Sequence, residues 1–160
     1  MRTVNLYVDG SYRKSEPGIT AGGAVVVLCD TPVCCQRYLT RNPDFVRSWN
    51  VGGELLAAIF GLGLVTGLMK GERVKVAVYY DYMGIECLVQ GNPPWRAKTV
   101  CAKQYVEAVI TCRKQNPNLI IEYHKVKAHT GDRWNEAADR VANGIFGEEL
   151  ANVRLEDFMY

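Results

Sequence analysis

Histidine is nearly absent from this 160-residue chain, and the two present, His124 and His129, lie away from every cysteine. The six cysteines (Cys29, Cys34, Cys35, Cys87, Cys101, Cys112) never fall in a C-x-x-C spacing, so neither a zinc site nor a dithiol redox motif is indicated. Cys34 and Cys35 are adjacent, but neighbours on a strand point to opposite faces and a bridge between them would be strained. The expectation is buried free thiols in a reducing compartment. Long apolar runs are also missing. The longest weakly charged window, residues 51–69, is interrupted by Glu54 and five glycines, and the N-terminus has no signal-type apolar region. Neither export nor a membrane span is indicated, which makes a cytoplasmic location the expectation. No repeat or low-complexity segment occurs.

An excess of one charge is lacking too: the net charge is only +2. Its distribution is uneven, because beyond Gly144 the acids Glu148, Glu149, Glu156 and Asp157 face only Arg154, leaving the preceding part of the chain at +5. Basic residues recur at Arg96, Lys98, Lys103, Arg113, Lys114, Lys125, Lys127 and Arg133. Such a run is ordinarily a solvated face, and charge alone does not announce a nucleic-acid binder.

What is present is enough for one domain: 160 residues, 48% hydrophobic and 22% charged, the balance of a globular protein. In residues 3–12, Val4, Leu6 and Val8 alternate with Asn5, Tyr7 and Asp9, which predicts a strand ending in a carboxylate. Taken alone, Asp9 would merely open an Asp-Gly turn. Residues 22–28 and 34–39 predict two further strands, in an antiparallel meander. Leu55, Ala58, Ile59, Leu62, Val65 and Leu68 then recur at helical spacing, with Asn50 near the start, Gly71 beyond the end and Glu54 in the expected first turn, where favourable interaction with the helix dipole would explain it. Val74, Val76, Val78 and Tyr80 alternate into another aspartate, Asp81. A strand, helix, strand sequence implies a right-handed parallel crossover, so the strand before Asp81 can lie beside the strand before Asp9 with both carboxylates at one sheet edge. A short helix over residues 82–88, a longer one ending before Pro117, a fifth strand over 119–126 and a final helix marked by Trp134, Ala137, Ala138, Val141 and Ile145 complete the pattern. Asp139 sits inside that final helix, a position that aspartate disfavours. Pairing with Asn135 or Asn143 would explain it, and so would a functional role.

These residues bring the chain to a resemblance: it resembles ribonuclease H of type 1. Asp9 in Tyr-Val-Asp-Gly-Ser, Glu54 in Gly-Glu-Leu-Leu-Ala-Ala, Asp81 in Tyr-Tyr-Asp-Tyr and Asp139 in Asn-Glu-Ala-Ala-Asp-Arg-Val-Ala match the family's four acidic positions in order. His129 in Val-Lys-Ala-His-Thr-Gly-Asp matches its loop histidine, and the similarity runs over about residues 5–143. The sequence departs from the pattern in several places, among them the segment around Trp95, which is shorter than the basic protrusion of some members and leaves Trp95, Arg96 and Lys98 as a reduced substitute. Before the glutamate it has Trp49-Asn50-Val51-Gly52-Gly53 where relatives commonly show Thr-Asn-Asn-Arg-Ala, so only Asn50 of the minor-groove asparagines is kept. After Asp81 it follows a bacterial branch with Asp-Tyr-x-Gly-Ile.

The resemblance implies an α/β, ribonuclease H-like fold: a five-stranded mixed sheet in the order 3-2-1-4-5 with helices on both faces. It also implies a catalytic domain over residues 1–146, followed by an acidic tail over 147–160. The implied activity is endonucleolytic hydrolysis of the RNA strand of RNA/DNA hybrids, leaving 5′-phosphate and 3′-hydroxyl ends. Asp9, Glu54, Asp81 and Asp139 would hold metal, and His129 would assist proton transfer or product release. Four converging carboxylates repel one another unless a hard dication neutralises them, which suits Mg²⁺, with Mn²⁺ as a substitute. Two ions about 4 Å apart would serve an in-line displacement at phosphorus. The expected nucleic-acid contacts are Gly10, Ser11, Asn50, Trp95, Arg96, Lys98 and Lys127. The partner is then the hybrid duplex itself, bound by a monomer with no obligatory protein partner and no membrane. A catalytically silent hybrid-binding module, or another nuclease of the wider superfamily, is the alternative reading.

Overall fold

The computed structural model describes residues 1–13, 15–91, 95–127, 131–153 and 157–160. In chain order the strands are β1 (Arg2–Tyr12), β2 (Thr20–Leu28), β3 (Thr31–Thr40), β4 (Val74–Tyr80), β5 (Leu119–Lys125) and β6 (Phe158–Met159). The helices are α1 (Pro43–Val46), α2 (Trp49–Leu68), α3 (Gly84–Gln90), α4 (Val100–Gln115) and α5 (Arg133–Ala142), with a 3-10 turn at Glu148–Leu150. The sheet runs β5-β4-β1-β2-β3-β6. β1 is antiparallel to β2 and parallel to β4, placing Tyr7 beside Tyr79 and bringing the ends of both strands, with their aspartates, to one edge.

The expected order 3-2-1-4-5 is present, but the sheet has six strands where five were expected. The addition is β6, which joins the outer edge of β3 in parallel, pairing Tyr38 with Phe158 and Leu39 with Met159. Aromatic contacts hold it there: Phe158 meets Phe60 at 5.2 Å, and the Tyr160 ring lies 5.1 Å from Phe60.

Strand alternation divides the core in two. Val4, Leu6, Val8, Val76 and Val78 face α2 and α4, whereas Tyr7, Val25 and Val27 face Trp134, Ala137, Ala138 and Val141 of α5. Helices therefore cover both faces of the sheet. By length and composition alone α2 resembles a membrane-crossing helix, 20 residues with a mean hydropathy of 1.8, yet 56% of that window is buried inside the fold.

The glycines of α2 cost helix propensity, about 1 kcal/mol each relative to alanine. Packing explains the ones nearest the sheet. A Cβ at Gly10 would collide with the Asn50 carbonyl oxygen, one at Gly22 with that of Gly53, and one at Gly53 with that of Ala21. The first turns of α2 therefore lie on β1 and β2 main chain to main chain.

Several element boundaries depart from expectation for identifiable reasons. The β2–β3 hairpin turns on Cys29 and Asp30, both left-handed (φ 50° and 57°), so β3 begins at Thr31. This leaves the Cys29 thiol exposed rather than buried; no disulfide joins any of the six cysteines, and Cys87 and Cys112 are only half-buried. α3 starts at Gly84 rather than residue 82. α5 stops at Ala142, and Gly144, at φ 77°, turns the chain away, so Ile145 lies outside the helix and is exposed.

Candidate active site

Asp9 and Asp81 come to one sheet edge, Asp81 just beyond β4 as the alternation predicts and Asp9 inside β1, which does not end at the carboxylate but runs on to Tyr12 through its pairing with β2. Glu54 reaches them differently. α2 begins at Trp49, which places Glu54 in the second turn and leaves the first turn without an acid. The dipole explanation for this carboxylate is thereby overturned. Glu54 is 4% exposed, and its Oε1 accepts hydrogen bonds from the backbone N–H groups of Asp81 (3.3 Å) and Tyr82 (3.2 Å). The end of β4 is thus tied to α2 through a carboxylate that does not face solvent.

Ligand oxygens of Asp9, Glu54 and Asp81 all lie within 4.8 Å of one another. At that separation, two unit charges in a medium of effective dielectric about 20 repel by about 3 kcal/mol. The protein lowers this cost by retaining protons. Burial first, then the neighbouring charges of Asp81 and Asp139, push the Asp9 carboxyl up to about 8, although the Gly10 N–H at 2.8 Å acts in the opposite sense. Burial and the adjacent Asp81 hold Glu54 well above the usual carboxylate range. Such a set of hard oxygen donors, costly to ionise together, fits a hard divalent cation. Asp9, Glu54 and Asp81 would hold it, with Asp139 beside them.

Asp139 joins from α5 across a cleft of about 160 Å³ lined by Asp9, Gly10, Asn50, Asp81, Asn135, Glu136 and Asp139. Of the two partners considered for it, Asn143 is the one engaged. Its Nδ2 donates to the Asp139 carbonyl at 2.9 Å and lies 3.4 Å from Oδ1, while its own Oδ1 accepts from the Ser11 hydroxyl at 2.6 Å. Ser11 is therefore hydrogen-bonded to the residue that steadies Asp139, linking β1 to α5.

Gly10 and Asn50, two of the expected nucleic-acid contacts, line the cleft. Trp95 is half-buried, with its ring edge-on to Tyr82 at 6.1 Å, whereas Arg96, Lys98 and Lys127 are exposed and do not line the cleft. His129 lies outside the described residues. Glu136 was not anticipated, although it precedes Asp139 by three positions and so shares its helix face, a spacing readable from the sequence.

Comparisons with known proteins show the family and the fold. The family model for RNase H matches residues 1–145. Ribonuclease H of Chromohalobacter salexigens is 31% identical over 163 aligned residues, covering 96% of this chain and 90% of that protein. Among solved structures, RNase H1 of the halophilic archaeon Halobacterium salinarum superposes with a TM-score of 0.66 at 22% identity, covering 88% of this chain and 95% of the other. LC11-RNase H1, solved in complex with an RNA/DNA hybrid, gives a TM-score of 0.66 at 19% identity over 92% of this chain and 99% of its own. At these identities the two structures speak for the fold. The chain belongs to the RNase H family.

Proposed function

We propose that this protein is a cytoplasmic, monomeric endonuclease that hydrolyses the RNA strand of RNA/DNA hybrids with Mg²⁺, Mn²⁺ serving as a substitute. The observation that carries this reading is the convergence of Asp9, Glu54 and Asp81 from three separate elements into one partly desolvated cluster, with Asp139 facing it. A module that only bound hybrids would gain nothing from concentrating negative charge beside phosphates. The family membership of the chain, and the hybrid bound by LC11-RNase H1, support the substrate class.

When bound, divalent ions at such a cluster generate a nucleophile from water and stabilise the charge that develops on the leaving oxygen. The chain's own residues supply the remainder. Glu54 fixes the end of β4, and with it Asp81, through two backbone N–H groups. Ser11 and Asn143 hold Asp139 to β1. Asn50, exposed at the mouth of the cleft, offers hydrogen bonds to the minor groove, where the 2′-hydroxyl that distinguishes RNA from DNA is displayed. Arg96, Lys98 and Lys127 would meet backbone phosphates, which position a duplex without reading its sequence. His129 would aid proton transfer or product release.

Labelled RNA/DNA, RNA/RNA and DNA/DNA duplexes, each incubated with Mg²⁺, with Mn²⁺ and with excess EDTA, test this reading. Cleavage confined to the RNA strand of the hybrid, lost in EDTA and nearly lost in Asp81→Asn, is the expected result. Full hydrolysis in EDTA or by that variant would overturn it.

A further inference from the structure

Trp49 combines three features that a structural role does not account for. Its backbone is left-handed, φ 52°, a conformation that L-residues other than asparagine, aspartate and glycine rarely adopt. The residue is 59% exposed, more than any other aromatic among the exposed large hydrophobic residues described. The ring is nevertheless ordered against a partner, lying nearly parallel to Tyr12 with centroids 6.1 Å apart and planes inclined by 19°. Strained residues kept in place by over-determined surroundings cluster at functional sites. Here the surroundings are explicit. The hydroxyl of Thr20, itself 1% exposed, donates to the Trp49 carbonyl at 2.7 Å and lies 3.2 Å from the Ser11 carbonyl, fixing the start of α2 to β1 and β2.

The aromatic pair also has a definite place relative to the carboxylates. Trp49 precedes Asn50, which lines the cleft, and Tyr12 follows Asp9 by three residues, roughly 10 Å along the strand at about 3.3 Å per residue. A duplex with its RNA backbone over the carboxylates would set its minor groove against this rim. An A-form groove is wide and shallow enough to admit a flat ring, whereas that of B-DNA is narrow. An indole carries one N–H and is otherwise apolar, so it favours sugar edges without a 2′-hydroxyl.

We propose that Trp49, backed by Tyr12, is a specificity-determining residue that packs on deoxyribose edges of the DNA strand in the minor groove of the hybrid. The pair selects the hybrid over a DNA duplex by groove width and over an RNA duplex by the sugar it touches. This inference rests on the proposed hybrid substrate.

Trp49→Gly tests it, because glycine accepts φ 52° without strain and removes the ring while keeping the backbone. Aromatic contacts with nucleic acid, measured by removal, predict a rise in KM of roughly 10- to 100-fold with kcat little changed. The melting temperature should stay near that of the parent, and Trp49→Phe should restore most of the affinity. In an Asp81→Asn, Trp95→Phe background, where Trp134 is buried, tryptophan emission should change on titration with hybrid and less with DNA or RNA duplexes of the same sequence. An unchanged KM, equal emission changes with all three duplexes, or a variant whose lost activity follows lost stability would each overturn the role. Failure of the parent to cleave any hybrid would sink the functional reading instead, and the emission titration would still decide whether Trp49 meets a duplex.

Discussion

Replacing Asp9 with asparagine removes one of three mutually repelling carboxylates while keeping the carbonyl oxygen that accepts the Gly10 N–H. In the folded protein Asp9 holds its proton to about pH 8, chiefly because it is buried, whereas an unfolded chain releases it near pH 4. The raised value means that the native state binds more protons than the unfolded state between these limits. Stability without metal therefore falls as pH rises through that window and is restored as pH drops below about 4. Each pH unit within it costs at most about 1.4 kcal/mol, so at pH 7, about three units into the window, the upper bound is about 4 kcal/mol. Asparagine escapes this cost. In EDTA at pH 7, Asp9→Asn should be more stable than the parent by roughly 2–4 kcal/mol, or about 5–15 °C in melting temperature for a chain of this length. At pH 4 the two should melt together, and saturating Mg²⁺ should close or reverse the gap at pH 7, since only the parent gains from binding it. Thermal unfolding followed by circular dichroism across pH 4–8.5, with EDTA and with Mg²⁺, measures all three. A variant that melts below the parent by the same amount at every pH would refute the electrostatic account of the cluster.

Two further outcomes follow, one from the exposed basic residues and one from the loop motif that carries His129. Arg96→Ala with Lys98→Ala should raise KM and flatten its dependence on salt, because fewer counterions are released when fewer phosphates are contacted; a KM and salt slope equal to the parent's would exclude these residues from the interface. His129→Ala should lower turnover roughly 10- to 100-fold with little change in hybrid affinity, the low end of what a positioned acid–base group contributes. Unchanged turnover from pH 6 to 9, or a loss as complete as that of Asp81→Asn, would show that this role is wrong.

The strands carrying Asp9 and Asp81 were legible because apolar residues alternate up to each carboxylate, and the helix between them forced a parallel crossover; the run of β1 past Asp9 to Tyr12 was not, because Gly10 and Ser11 break that alternation. The helix start was not legible. No side chain caps α2 at Ser48, and the left-handed turn at Trp49 leaves no compositional trace, so Glu54 was placed one turn too early. β6 has two residues, too few for any alternation, and is held by pairing with β3 and by aromatic rings distant in sequence. The Ser11–Asn143 contact joins positions 132 residues apart, and only the folded topology reveals it.

The main-chain contacts at Gly10, Gly22 and Gly53 have a consequence for how this protein can change. Asp9 and Glu54 are spaced by peptide atoms that every residue shares, so the bearing surface between helix and sheet does not depend on which apolar side chains fill the core farther along α2. Exchanges at Leu62 or Val65 would pivot the distal end of the helix about that fulcrum and alter thermal resistance, while the carboxylate end keeps its setting. Durability and the geometry of the carboxylates are separable along a single helix.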